Sequence, residues 1–547
     1  MRSASLTGQP SSASAYPLLI KQLLLTPLAV NPEQEIVYRE QVRYDYWTLR
    51  HRIGQLASGL QALGVKPGDT VAVMDWDSHR YLECYFGIPM MGATLMTVNV
   101  RLSPEQIAYT LNHSGASVLL VNADFLPVLD TIRGGLHHIE RFVLIDDSGA
   151  TPVPECFANE YERQLAESSP DFNFVDFDEN TRATTFYTTG TTGAPKGVYF
   201  THRQIVLQTL ATMAALASSP KQGRIDRDDV YMPITPMFHV HAWGLPYVAT
   251  VLGIKQVYPG RYVPERLLDL VRREQVSFSH CVPTIMQMLL THPAAKDIDL
   301  SRWKVIVGGS ALPKGLAQLA LDRGIDIFAG YGMSETCPVL TIAQVKTSML
   351  DDASQALDVR TKTGLPIPLV DLRVVDSAMH DVAHDGKTPG EIVVRAPWLT
   401  QGYLDNPEAS AALWAGGYLH TSDIGIIDSD GYLQVTDRIK DVIKTGGEWV
   451  SSIEIESLIS RHPAVGEVAV IGIRDEKWGE RPLALVVPKA DEVVDEGAIL
   501  AHLVGFVERG LLPKHAIPES IVFVESLDKT SVGKINKRAL RSRYATT

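Results

Sequence analysis

The segment Tyr187–Gly197 reads YTTGTTGAPKG and holds three glycines, four threonines and one lysine. Such a stretch has a backbone free to curl around an anion, hydroxyls that donate hydrogen bonds, and a cation to offset charge. Polyphosphate is the guest this chemistry suits. The spacing is not that of a Walker loop, because Lys196 follows Pro195 and precedes Gly197. Nor is it the GxGxxG of dinucleotide folds. Three other places carry chemistry-bearing residues. Glu335 in GYGMSET offers the hard oxygen donors that Mg²⁺ takes. Lys534 in TSVGKINK sets a compact ammonium beside a glycine, suited to bridging two anionic groups. His239 and His241 in PMFHVHAWGLPY (236–247) lack a neighbouring Cys or carboxylate, so zinc is not expected there.

The elements that must position these residues follow from periodicity. Helical patterns such as YWTLRHRIGQLASGLQALG alternate with short apolar runs such as TVAVMDW, ASVLLVNA, ERFVLIDD, WKVIVGGS and IDIFAGYG. That alternation predicts βαβ units and mostly parallel sheets. Between about 370 and 437 the texture becomes short and β-rich (LRVVD, GEIVVRA, GYLQVTD), which predicts a small β-barrel subdomain. Beyond it lie two strands, a helix and another strand, enough for a small α+β domain. The expected organisation is a disordered Ser-rich tail over 1–16, a large α/β N-terminal domain over 17–439, and a small C-terminal domain over 440–547.

The 547 residues exclude a single small module. A balance of 50 Lys+Arg against 63 Asp+Glu, net −13, argues against coating nucleic acid or anionic membrane, though a local anion site is compatible with it. No apolar run reaches the roughly 18–20 residues of a membrane span. Cys84, Cys156, Cys281 and Cys337 show no paired ligand spacing, as expected in a reducing compartment, and the cytoplasm is the expected location.

Five motifs in order carry a family resemblance: YTTGTTGAPKG, GYGMSET (330–336), YLHTSDIG (418–425), DRIKDVIKTGG (437–447) and TSVGKINK (530–537). Together they resemble the adenylate-forming superfamily of acyl-CoA synthetases, nonribosomal adenylation domains and luciferases, over the chain from about residue 17. The segments PMFHVHAWGLPY and GGEWVSS look like those of medium- and long-chain fatty acyl-CoA synthetases. The resemblance implies an ATP-dependent fatty acyl-CoA ligase with ATP, Mg²⁺ and CoA, a carboxylic acid as partner, and leaves room for a homodimer; the alternatives are an acyl-AMP ligase that loads a carrier protein and a catalytically silent nucleotide- or acyl-binding relative.

It also implies residue roles. Thr188, Thr189, Gly190, Thr191, Thr192, Gly193 and Lys196 would line the phosphate loop, with Thr191 and Glu335 at the metal. Gly309, Ser310, Ala311, Gly330, Tyr331, Gly332 and Thr336 would hold the nucleotide, Tyr331 by stacking on adenine and Thr336 at the phosphate. Asp423 and Arg438 would hold the ribose. Lys534 would be the adenylation lysine, with Thr191, His239 and Glu335 beside it in catalysis. Lys440 would be the hinge of a rotation that brings Lys444, Gly446, Gly447 and Trp449 to the acyl site for CoA. His239, Val240, Trp243, Gly308, Gly309 and Val339 would line the acyl site. One departure stands out: Asp528 occupies a position where the family usually has Pro.

No Asp or Glu occurs between Met232 and Val263. A buried substrate ammonium would be unpaired there at a cost of several kcal/mol. An uncharged acyl chain is therefore expected, medium-chain first, then long-chain, then branched or aromatic.

Overall fold

The computed structural model describes residues 13–188, 194–445, 448–489, 492, 494–530 and 534–544. Two large sheets dominate the chain up to Pro366. In the first, Asn159–Glu160, Arg141–Ile145, Ala116–Asn122, Thr70–Met74, Thr94–Thr97 and Arg182–Thr188 lie side by side in that order, all parallel, and Lys196–Thr201 adds an antiparallel edge. Every residue of Thr70–Met74 and Thr94–Thr97 is buried, as central parallel strands covered on both faces require.

The second sheet has a parallel centre of Asp326–Gly332, Lys304–Val307, Phe278–Cys281, Val230–Pro233, Lys255–Tyr258 and Glu35–Tyr38. Antiparallel strands flank it: Val42–Asp45 at one edge, Val339–Ile342 and Leu365–Pro366 at the other. One apolar cluster runs through both sheets. Helix starts are capped by their own sequence. Thr201 and Gln204 form a reciprocal capping box at His202–Ser218, and Gln204 Nε2 also donates to Leu399 O at 2.6 Å.

The β-rich segment is present, but not as a closed barrel. Asp371–Val375, Gly390–Arg395, Leu419–Ile427 and Leu433–Arg438 form an antiparallel sheet in chain order, and its first and last strands do not pair with each other. Both edges are already occupied. The turn after Val375 folds back on the first strand, Val382 N–H donating to Val374 O at 3.0 Å. On the last strand, Gly364 and Leu433 exchange backbone hydrogen bonds. Edges covered in this way need no closure.

From Ile443 the chain packs around cores of its own. Val465–Asp475 and Gly479–Pro488 form a long antiparallel pair, joined by Ser520–Phe523 in parallel and by the hairpin Ile443–Thr445/Glu448–Val450. Helices Ser452–Ile459, Glu496–Glu508 and Lys537–Tyr544 complete the unit.

Candidate functional site

Four parallel strands of the second sheet end side by side, and the loops that leave their C-terminal ends build the site. This is where open α/β sheets hold ligands. Gly308 to Ala311 follow Lys304–Val307, Val282 follows Phe278–Cys281, and Glu335 and Thr336 follow Asp326–Gly332. The segment from Ile234 to Gly244 follows Val230–Pro233.

Lys534 arrives from the C-terminal unit. Gly309 has φ +80°, and a β-carbon placed there would lie 3.1 Å from Lys534 Cε and 3.2 Å from Val282 Cγ1. The lysine side chain thus lies directly over the glycine, which has room for it because it has no side chain. Thr530 and Lys534 are tied to each other: Lys534 N–H donates to Thr530 Oγ1 at 3.2 Å and Thr530 N–H to Lys534 O at 2.6 Å. Burial, then the nearby Arg438, pull the ammonium down to about 8, while Asp423 and Glu335 act the other way.

The two carboxylates around Lys534 are each tied to a tyrosine. Tyr331 Oη donates to Asp423 Oδ2 at 2.7 Å, and Arg438 Nε pairs with Asp423 Oδ1 at 3.2 Å. Tyr403 Oη donates to Glu335 Oε1 at 2.7 Å, and Lys196 Nζ stands 4.7 Å from the centre of the Tyr403 ring. Burial and the Asp423 charge raise the Tyr331 phenol well above its usual range, so it stays a donor. Tyr403 is a site residue that sequence reasoning missed. It stands in WLTQGYLDN, where no neighbouring motif marks it.

Thr188 and Lys196 face each other at the mouth of the loop they bracket, in register across the hairpin. Thr189, Gly190, Thr191, Thr192, Gly193, Gly446 and Gly447 lie outside the described residues. Thr336 differs from its expected place. It is fully buried, and its hydroxyl bonds to Met333 and Pro338 within its own turn. Its hydroxyl is thus engaged inside the turn that carries Glu335. Ser310 and Ala311 are exposed, and Gly330 and Gly332 end their strand half-buried beside Tyr331.

The two histidines of PMFHVHAWGLPY part company. His239 is half-buried, and its imidazole is pushed down to about 3 by burial, then by Lys534 and Arg101. His241 is buried among the rings of Phe186, Tyr85, Tyr247 and Phe200. The cause is a left-handed turn: Val240, His241, Ala242 and Trp243 have φ between 47° and 59°, followed by Gly244 at 75°. Each such residue other than glycine costs about 1–2 kcal/mol, so the walls must hold the turn in place. They do so from strand Thr94–Thr97 of the first sheet and from the loop and helix that follow strand Thr70–Met74. Met237 N–H donates to Asp77 Oδ1 at 2.8 Å, Thr97 Oγ1 donates to Phe238 O at 2.7 Å, and Tyr85 Oη donates to Met237 O.

Beyond His239 the lining is apolar. Val240, Trp243 and Val339 are buried, and a β-carbon on Gly308 would meet Gly330 O at 2.8 Å and the Trp243 ring at 3.0 Å. On the C-terminal unit, Lys444 is exposed and pairs with Trp449 across the hairpin, while Lys440 sits in a turn closed on Arg438 O. Lys534, rather than this hairpin, is the C-terminal group brought onto Gly309.

Residues 26–404 match the AMP-binding enzyme family and residues 454–534 the AMP-binding enzyme C-terminal domain. The chain is 40% identical to a long-chain-fatty-acid–CoA ligase of Thermus thermophilus over 100% of this chain and 99% of the relative. It is 34% identical to a medium-chain-fatty-acid–CoA ligase of Ectopseudomonas oleovorans, over 90% of this chain and 89% of that one. The fold matches the crystal structure of an anthranilate CoA ligase in complex with anthranoyl-AMP at TM-score 0.85 and 25% identity, covering 96% of this chain and 98% of that structure. Among the described residues no helix is long and apolar enough to cross a membrane. The chain belongs to the AMP-binding enzyme family, within the adenylate-forming superfamily.

Proposed function

We propose that the protein is an ATP-dependent acid–CoA ligase acting on a fatty acid with an uncharged acyl chain, medium-chain first and long-chain second. The observation that carries this reading is Lys534 over Gly309, with Glu335, Asp423 and Arg438 as its charged neighbours. The relatives' fatty-acid substrates and the acid-free acyl lining agree with it. A carboxylate oxygen attacks the α-phosphorus of ATP, the bond to the β-phosphate breaks, and pyrophosphate leaves. Two anions must meet, so neutralising and aligning charge matters more than moving protons. Lys534 spans the carboxylate and the α-phosphate, Asp423 and Arg438 hold the ribose, and Tyr331 lies along the base. Gly309, Ser310, Ala311, Gly330 and Gly332 supply the remaining wall of the nucleotide.

Glu335, fixed by Tyr403, fits Mg²⁺, which is commonly held by one or two carboxylates plus substrate phosphates. When bound, the ion offsets charge on the phosphates. Thr191 and Lys196 are assigned to the same phosphates. In the second half-reaction the CoA thiolate attacks the acyl carbon and AMP leaves. A thiol with a pKa near 8.5 needs little help from a base. The C-terminal unit turns about Lys440 between the two steps, withdrawing Lys534 and presenting Lys444, Gly446, Gly447 and Trp449. His239 stays neutral beside the reacting carboxyl, where a cation would add to the charge of Lys534. We place the enzyme in the cytoplasm. Exposed Leu25, Val30 and Trp47, on two touching helices, are the apolar surface a homodimer would bury.

AMP release from a panel of C2–C18, aromatic and amino acids, with and without CoA, tests the reading. The expected product is a CoA thioester, with the highest kcat/KM on medium-chain acids. Activation of amino acids alone would overturn it.

A further inference from the structure

The segment that carries Lys534 is tied to the large unit through a buried polar chain that the reaction itself does not use. Asp437, at the end of strand Leu433–Arg438, is 1% exposed, and its Oδ2 accepts from Ser452 N at 2.7 Å and Ser452 Oγ at 2.6 Å. Ser452 is fully buried and opens helix Ser452–Ile459, whose N-terminal amides favour the carboxylate. Ser451, one residue earlier, donates its hydroxyl to Thr436 O. Lys537 Nζ donates to the same Ser452 Oγ at 2.6 Å and pairs with Glu456 at 2.7 Å. Lys537 begins helix Lys537–Tyr544 and follows Lys534 by three residues.

The contacts therefore run without a break from Asp437, through Ser452 and Lys537, to the loop that sets Lys534 over Gly309. Asp437 precedes Lys440, whereas Ser452, Glu456 and Lys537 follow it. A turn about the Lys440 backbone leaves Asp437 behind and breaks both of its bonds to Ser452. The Lys537–Ser452–Glu456 group moves as one body. Asp437 and Ser452 are both buried, so parting Asp437 from Ser452 breaks two buried charge-assisted hydrogen bonds that exist in this orientation.

We propose that Asp437, Ser452 and Lys537 form a latch that holds Lys534 in the adenylating position and opens when the C-terminal unit turns. All three are positioning residues, and the proposal rests on the ligase reading above. Contacts made in only one of two orientations bias the equilibrium by their full differential strength. Loss of the latch should therefore weaken the first half-reaction and spare the second.

Two assays on the full chain separate these effects: acid-dependent ATP–pyrophosphate exchange, and CoA thioester formation from supplied acyl-adenylate. In Ser452→Ala and Asp437→Ala, exchange should fall about 10-fold, the scale of one or two charge-assisted hydrogen bonds, while thioester formation stays within about 2-fold. Ser452→Thr keeps the hydroxyl and should restore exchange. Lys537→Met strands Glu456 in the interior, so Ser452→Ala is the decisive variant if Lys537→Met does not fold. Equal losses in both assays, or unchanged exchange, would overturn the latch. An unmodified enzyme with no acid-dependent exchange would instead overturn the ligase reading, and the latch with it.

Discussion

The sides of the site that we assign to the nucleotide and to the acyl chain are built by different means. Around the nucleotide, polar groups hold one another: Tyr331 and Arg438 grip Asp423, and Tyr403 grips Glu335 and lies beneath Lys196. On the acyl side the segment between Met232 and Val263 holds no acid of its own, and the backbone fixes the shape through a left-handed turn pinned by Asp77, Thr97 and Tyr85. Charge placement sets the first region and excluded volume the second. Damage should therefore appear in different kinetic constants. Removing a charge on the nucleotide side lowers the rate of a step, because that charge acts most strongly in the transition state. Filling space on the acyl side changes which acid binds.

The largest expected effect is on the polar side. Lys534→Ala should lower acid-dependent pyrophosphate exchange by about 10²–10³-fold, the cost of losing one preorganised group at developing charge. The KM for the acid should change little, and thioester formation from supplied acyl-adenylate should survive. Full exchange in this variant would remove Lys534 from catalysis and erase the contrast between the two sides.

A smaller effect is expected on the apolar side. Gly308→Val forces a side chain into a place where even a β-carbon would sit 2.8 Å from Gly330 O and 3.0 Å from Trp243. Overpacking of this kind costs about 1–3 kcal/mol, so the KM for medium-chain acids should rise roughly 10- to 100-fold. The KM for ATP should rise clearly less, because of the groups the new side chain meets only the Gly330 carbonyl also belongs to the wall assigned to the nucleotide. Equal rises in both constants, read from initial rates at varied acid and ATP, would mean that the two sides are one packed unit.

How legible each side was in the sequence follows from the same difference. The polar side lies in short local motifs, and Glu335, Asp423, Arg438 and Lys534 do converge although about 200 residues separate the first from the last. The parallel strands of the two large sheets were also legible, since buried parallel strands read as apolar runs: Thr70–Met74, Lys304–Val307 and Asp326–Gly332 fall where those runs predict. What the sequence hid is set by tertiary neighbours. Tyr403 reaches Glu335 only because its loop pairs with Val198 across the chain. The parting of His239 from His241 depends on a left-handed turn that no residue pattern announces. The predicted barrel is an open sheet whose edges are met by Gly364 and by the turn after Val375, and the Gly364–Leu433 pairing, between residues far apart in the chain, leaves no local signature.

The central claim is that the acid's carboxylate oxygen attacks the α-phosphorus of ATP under Lys534. Octanoate labelled with ¹⁸O in both carboxyl oxygens, turned over with ATP and CoA, reports this directly by mass spectrometry of the products. The account predicts one ¹⁸O atom in each AMP formed, none in pyrophosphate, and one left in the acyl-CoA. Label in pyrophosphate or orthophosphate, or AMP without label, would contradict it.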